Sequence, residues 1–249
     1  MEEDVVRAST TYAAAAAEAS IHSLVDSAFS LSAVSAKEMV GVYEGRMAKK
    51  GSAGRFIYDE LMLAAKHGRC PLCGQRSVST LDHHLPKSSF PALAVDPLNL
   101  VPACSDCNKA KSSSIPVSRH EETLHPYFDD IEKDLWLRAR VVEVGPAALI
   151  FFVDHPVGWT EIMFARASLH FKTFGLSGLY SSQAAQELNN IRFGLSQIFD
   201  RGGEAVVKQH LREQAVSRSA AHTNSWQAAT YRALAENEWF CRGGFEFAY

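Results

Sequence analysis

Two Cys-x-x-Cys pairs, Cys70-Pro71-Leu72-Cys73 and Cys104-Ser105-Asp106-Cys107, are separated by 30 residues. A turn of this spacing lets two thiolates reach one ion, and two such turns close a tetrahedron of sulfur around it. Four cysteine ligands leave no open coordination position, so the expected ion is a structural Zn2+ and not a reaction centre. Between and just after the pairs lie the other residues with chemical potential. They are Leu81-Asp82-His83-His84-Leu85-Pro86-Lys87, then Asn99-Leu100-Val101-Pro102, then Asn108-Lys109-Ala110-Lys111. A carboxylate, two imidazoles, two amides and several ammonium groups thus fall within a span of about 42 residues. The fifth cysteine, Cys241, stands apart and reads as a lone core thiol.

The ordered set Asp82-His83, Asn99, Cys104-x-x-Cys107-Asn108 and a following lysine resembles the HNH endonucleases. The likeness extends to the flanking stretches 81–91, 124–128 and 224–241. It implies a ββα-metal fold, in which two short antiparallel strands and a helix grip one divalent ion. Carried over position by position, His83 is the general base. Asp82 and Asn108 are the metal ligands, and Asn99 braces the loop that holds His83. The cysteine quartet (Cys70, Cys73, Cys104, Cys107) staples the unit with zinc. Elementary chemistry agrees: breaking a phosphodiester needs an activated water and neutralisation of the charge that builds on phosphorus. A neutral imidazole takes the water's proton, while one carboxylate and one amide leave a hard ion such as Mg2+ or Mn2+ open to phosphate oxygens. Lys109 and Lys111, with Lys87 and Arg76, are the expected contacts to flanking phosphates.

Each assignment has a plainer alternative. His84 is adjacent to His83 and points to the other face of a strand, so either could be the base. Asp82 could merely orient a histidine, Asn108 could cap the helix, and Asn99 could be a turn residue after Asp96-Pro97. Lys109 and Lys111 could be a solvated helix face. His120, His125, His155 and His170 lie outside the pattern and read as surface or core residues.

These residues need elements to hold them. Helices are expected over 10–31, capped by Ser9 or Thr10, over 34–48 and over 55–67. The stretch 112–130, rich in Ser and Pro at its start, reads as an interdomain linker or wrap. Trp136–Val144 and Ala147–Asp154, with Gly145-Pro146 between, read as a β-hairpin. Helices follow over 159–174, 182–200, 203–220 and 224–238, with Gly202-Gly203 dividing the middle pair and Asn224-Ser225 capping the last. The fold class is α+β: mostly helical, with a central zinc-stapled ββα-metal unit and a short hairpin in the C-terminal half. The expected division is a helical region over 1–66, the ββα-metal unit over 67–119, and a mainly helical region of unassigned role over 120–249. There the Trp and Phe residues, including Phe171 and Phe174, read as core.

Composition narrows the class further. The 249 residues are 47% hydrophobic and 21% charged, which excludes a largely disordered chain and a collagen-like repeat. The formal net charge of -3 hides an asymmetry. Residues 46–119 carry 11 Lys/Arg against 5 Asp/Glu, a net +6, and the remainder carries -9. A basic island in an acidic chain suits an anionic partner met on one face. DNA is the expected substrate, with RNA second because no residue of the set reads a 2′-hydroxyl. A zinc-dependent module that binds nucleic acid or protein without cutting is the alternative. A partner protein could meet the acidic C-terminal region, and Arg138, Arg140, Arg166, Arg192 and Arg212 could extend a nucleic-acid path. The acidic Met1-Glu2-Glu3-Asp4 start lacks the basic head of a signal peptide, and no apolar run reaches bilayer-spanning length, so a cytoplasmic setting is expected. An effector role in bacterial defence or mobile-element biology fits a nuclease of this kind.

Overall fold

The computed structural model describes residues 2–247. By internal packing the chain forms two compact units, one of residues 1–129 with 165–174, the other of 130–164 with 175–249.

In the first unit, α1 spans Glu2–Ala17, α2 Ala36–Val42 and α3 Arg55–Leu63. The expected helix over 10–31 is displaced toward the N-terminus. Glu2, Glu3 and Asp4 supply negative charge to its first turn, where the helix dipole favours it. The Thr10 and Thr11 hydroxyls donate to the carbonyls of Val6 and Arg7 and cap nothing. The helix stops before Ala19, whose φ of 49° is left-handed. Beyond it, Ile21 and Phe29 turn back and join Tyr12, Leu85, Phe90 and Leu93 in one buried cluster. Ser35 and Glu38 form a reciprocal capping box at the start of α2. A π turn, Tyr43–Ala48, follows α2 directly. Tyr43 and Met47 pack with Leu81 and Leu100, and α3 covers that cluster with Ile57, Leu61 and Met62.

Strands β1 (Thr80–His83) and β2 (Leu100–Ala103) pair antiparallel, with Asp82 opposite Val101 and His83 opposite Leu100. Helix α4, Ser105–Lys111, follows β2 after one residue, so the three elements make a ββα unit. Of the two readings of 112–130, linker or wrap, its second half follows the wrap. Glu122, Leu124 and His125 are buried, and the chain through Asp129 belongs to the first unit.

The second unit contains the hairpin β3 (Leu137–Val142) and β4 (Ala148–Val153), close to its expected bounds. After α5 (Glu161–Thr173), whose residues from Ala165 onward belong to the first unit, comes α6, Leu176–Ala221. Gly203, at φ 66° and ψ -161°, breaks the helical path of α6 where the glycine pair is expected to divide it. Helix α7, Trp226–Glu236, is capped by the Ser225 hydroxyl, which accepts from the Ala228 N–H. Asn224 does something else. Its Oδ1 accepts from the N–H groups of Trp136 and Leu137, and its Nδ2 donates to the Asp134 carbonyl, pinning the start of β3. Trp136, Phe151, Trp226 and Phe240 are buried, as expected of core aromatics. Among the described residues, no helix is long and apolar enough to cross a membrane.

Candidate metal and nuclease site

The four cysteines come together. The Sγ atoms of Cys70, Cys73, Cys104 and Cys107 all lie within 4.8 Å of one another, and all four residues are buried. The first knuckle turns tightly, with Gly74 at φ 63° donating its N–H to the Cys70 carbonyl at 2.8 Å. Backbone N–H groups point at sulfur: Arg76 N reaches Cys73 Sγ and Cys107 N reaches Cys104 Sγ, each at 3.4 Å. Hydrogen bonds from Cys107 and Cys70 hold the Cys73 thiol far below its ordinary range, and the same crowding drives the Cys107 thiol up. A buried quartet of sulfurs gathered this closely is compatible with a structural metal such as zinc. Further support comes from His170, whose Nε2 donates to the Leu72 carbonyl inside the knuckle at 2.8 Å.

A second centre lies at the end of β1. An open cavity of about 390 Å3 is lined by Asp82, His83, Lys87 and Asn108, with Tyr43 and Ser112 among its other walls. The two adjacent histidines fall on opposite sides. The His83 ring meets the edge of Tyr43 at 4.5 Å between centroids and lines the cavity, whereas His84 is buried against His125 at 4.2 Å. His83 Nε2 lies 2.9 Å from the Ala94 carbonyl. A carbonyl only accepts, so Nε2 carries the proton and Nδ1 keeps its lone pair. Burial lowers the His83 imidazole to about 4 despite the opposing Ala94 hydrogen bond, which keeps it neutral near pH 7.

Asn99 is fully buried and is not among the residues that line the cavity. Its Oδ1 accepts from Leu85 N at 2.7 Å, and its Nδ2 donates to the carbonyls of Leu85 and Leu93 at 3.0 and 3.2 Å. It therefore ties β2 to both ends of the 85–93 loop, next to the Ala94 carbonyl that orients His83.

Asp82 is 4% exposed, and burial raises its carboxyl to about 6 against the pull of Lys111. Its Oδ2 is buried without a hydrogen-bond partner, and Lys111 Nζ stands 3.4 Å away, an ion-pair distance but a long hydrogen bond. An unsatisfied carboxylate oxygen sharing a cavity with the Asn108 amide is an oxygen donor set that fits a hard divalent ion.

The four expected phosphate contacts separate. Lys109 is exposed and Lys87 lines the cavity, its ammonium 5.2 Å from the Tyr43 ring centre. Arg76 instead pairs at the second cysteine knuckle, with Nε 2.8 Å from Asp106 Oδ2. Lys111 is buried and its ammonium donates to the His83 and His84 carbonyls at 2.8 and 3.1 Å, so it has no face for an external phosphate. Arg166 is likewise withdrawn from any nucleic-acid path, buried in a bidentate pair with Asp129 at 2.7 and 2.8 Å. Tyr43 is the cavity residue that the motif spacing does not reveal. With Val40 and Met47 it looks like an ordinary apolar helix face, and only the π turn aims it at His83.

Residues 70–114 match the family model described as HNH endonuclease, and that span takes in both cysteine pairs, β1, β2 and α4. An HNH segment points to a nucleic-acid substrate and supports nuclease chemistry broadly. Over 216 residues the chain is also similar to protein ea31 of Escherichia phage lambda, at 29% identity, with 81% of this chain and 73% of that protein covered. No solved structure matches the chain.

Proposed function

We propose that the protein is a metal-dependent endonuclease that hydrolyses phosphodiester bonds in DNA. The observation that carries this reading is His83, held by the Ala94 carbonyl with Nδ1 unprotonated, sharing one cavity with Asp82 and Asn108. In this reading His83 Nδ1 removes a proton from water, the resulting hydroxide attacks phosphorus, and the P–O bond opposite it breaks. Asp82 and Asn108 hold the divalent ion, Mg2+ or Mn2+, which when bound neutralises charge on the phosphate and the leaving oxygen. Asn99 keeps the loop carrying Ala94 in place, and the ring of Tyr43 limits the tilt of the imidazole. Lys87 and Lys109 are the ammonium groups placed to meet flanking phosphates. Zinc is the ion assigned to the cysteine quartet. The phage-borne relative favours the mobile-element side of a defence or mobile-element setting.

The test is a supercoiled-plasmid assay of the wild type and His83→Ala, with Mg2+ or Mn2+ and with a chelator. Nicking or linearisation that requires the ion and falls at least about a hundredfold in the variant is expected, the low end for losing a general base. Equal cleavage by the variant sinks the assignment. Salt-dependent DNA binding without turnover under any divalent ion would instead favour a binding module.

A further inference from the structure

The proposed metal site carries its own countercharge. Lys111 lies three residues after Asn108 on α4, so both side chains leave the same face of that helix. Lys111 is 5% exposed, which is unusual for a lysine, and an ammonium withdrawn this far from water must be paired. It has three protons to place. Two go to the carbonyls of His83 and His84, at the end of β1. Its remaining neighbour is Asp82 Oδ2 at 3.4 Å, the buried oxygen without a hydrogen-bond partner. The carboxylate and the ammonium together have no net charge, and Asn108 adds none.

We infer that Lys111 is a positioning residue for the metal centre, the resident cation that compensates Asp82 and so keeps the divalent ion weakly bound in the free protein. The inference rests on the metal-site reading of Asp82 and Asn108. A bare buried carboxylate would be a costly feature of the free protein. With Lys111 beside it the site stays stable when no ion is present, and extra negative charge has to come from the phosphodiester. The ion and the substrate then bind with mutual reinforcement. The same ammonium draws the backbone of His83 toward α4, which couples the base and the carboxylate through one side chain.

The test is Mn2+ titration of the free protein, read from the loss of the electron paramagnetic resonance signal of the free ion, with no DNA present. Lys111→Gln and Lys111→Met remove the charge and shorten the side chain by one atom, and whichever retains a near wild-type unfolding midpoint is read. Tighter Mn2+ binding by tenfold or more is expected from removing a unit charge at this distance in a buried setting. Lys111→Arg should stay within about threefold of the wild type. Asp82→Asn should weaken Mn2+ binding whichever residue stands at 111, because it removes the charged ligand that Lys111 compensates. Unchanged or weaker Mn2+ binding in the neutral variants overturns the inference, as does an arginine variant that behaves like glutamine. Tighter binding in a protein that cuts no DNA would instead retain Lys111 as countercharge and overturn the nuclease reading.

Discussion

The two units are stabilised differently. Among the described residues, nine buried polar or charged side chains belong to the first unit: Asp82, His84, Asp96, Asn99, Lys111, Glu122, His125, Arg166 and His170. The second has Asn224 and Thr230. There, β3 and β4 pack with α6 and α7 through Leu149, Phe151, Leu188, Leu195 and a run of small residues including Ala228 and Ala229, as an apolar core usually does. In the first unit the ββα element is small, and its strands are four residues each. Two buried apolar clusters flank them, and the polar groups of the site are fixed in addition by hydrogen bonds and ion pairs, each of which costs dearly when one partner is lost. A site built this way is accurate but dependent on every member of its network.

The largest consequence concerns the cysteine quartet. Removing the metal, by a strong chelator or by Cys104→Ser, should unfold the 70–111 segment, since structural zinc supplies on the order of 10 kcal/mol to small domains. Amide hydrogen exchange is the readout. Protection should collapse across β1, β2 and α4, while the β3–β4 hairpin, which has its own apolar core, keeps its protection. Equal loss in both regions would break the contrast between them.

Next in size is Asn99→Ala. It leaves the Leu85 N–H and the Leu85 and Leu93 carbonyls without this partner in a fully buried place. A loss of about 3 kcal/mol in urea unfolding is expected, several unsatisfied groups being partly relieved by relaxation. A cost below about 1 kcal/mol would show that the 85–93 loop is held by its apolar side chains Leu85, Phe90 and Leu93 and not by the amide.

How much of this could be read in the sequence follows from the same contrast. The quartet was legible because metal chemistry demands cysteines at particular spacing, whereas the ββα unit and the bracing role of Asn99 came from the resemblance to the HNH endonucleases. The hairpin and the break at Gly202-Gly203 were legible from local conformational preference. Lys111 was not. A lysine in a basic stretch next to Lys109 reads as solvated, and only the tertiary placement of Asp82 and two carbonyls withdraws it from water. Tyr43 was hidden for a related reason, since a π turn shifts the register of an otherwise regular apolar face. The helix expected over 10–31 failed because Ile21 and Phe29 continue a helical period but reach their shared core only after the chain reverses at Ala19. Asn224 illustrates the same limit in the second unit: its type suits a cap, and its actual partners are about 90 residues away in sequence.

The smallest effect sharpens the contrast through pH. His125 is fully buried, its Nδ1 accepts from the Tyr127 N–H at 3.2 Å, and its Nε2 lies 2.9 Å from the Tyr12 hydroxyl. Burial lowers the imidazole to about 4, against an ordinary value near 6.5. A proton on Nδ1 would face the Tyr127 N–H, which also disfavours the charged form. The unfolded chain therefore takes up the proton first as pH falls, so stability is full above about 6.5 and is lost progressively toward 4. Between pH 6.5 and 5 the contribution of His125 is about 2 kcal/mol, from a separation of roughly 1.5 pH units. Urea unfolding of the first unit at pH 7 and pH 5 measures it, with hydrogen exchange of residues 124–128 as a local check. In His125→Gln the loss between the two pH values should shrink by about that amount, whatever the variant does to stability at pH 7. An unchanged pH dependence in the variant would mean that acid acts on the first unit through its other buried imidazoles, His83, His84 and His170, and not through His125.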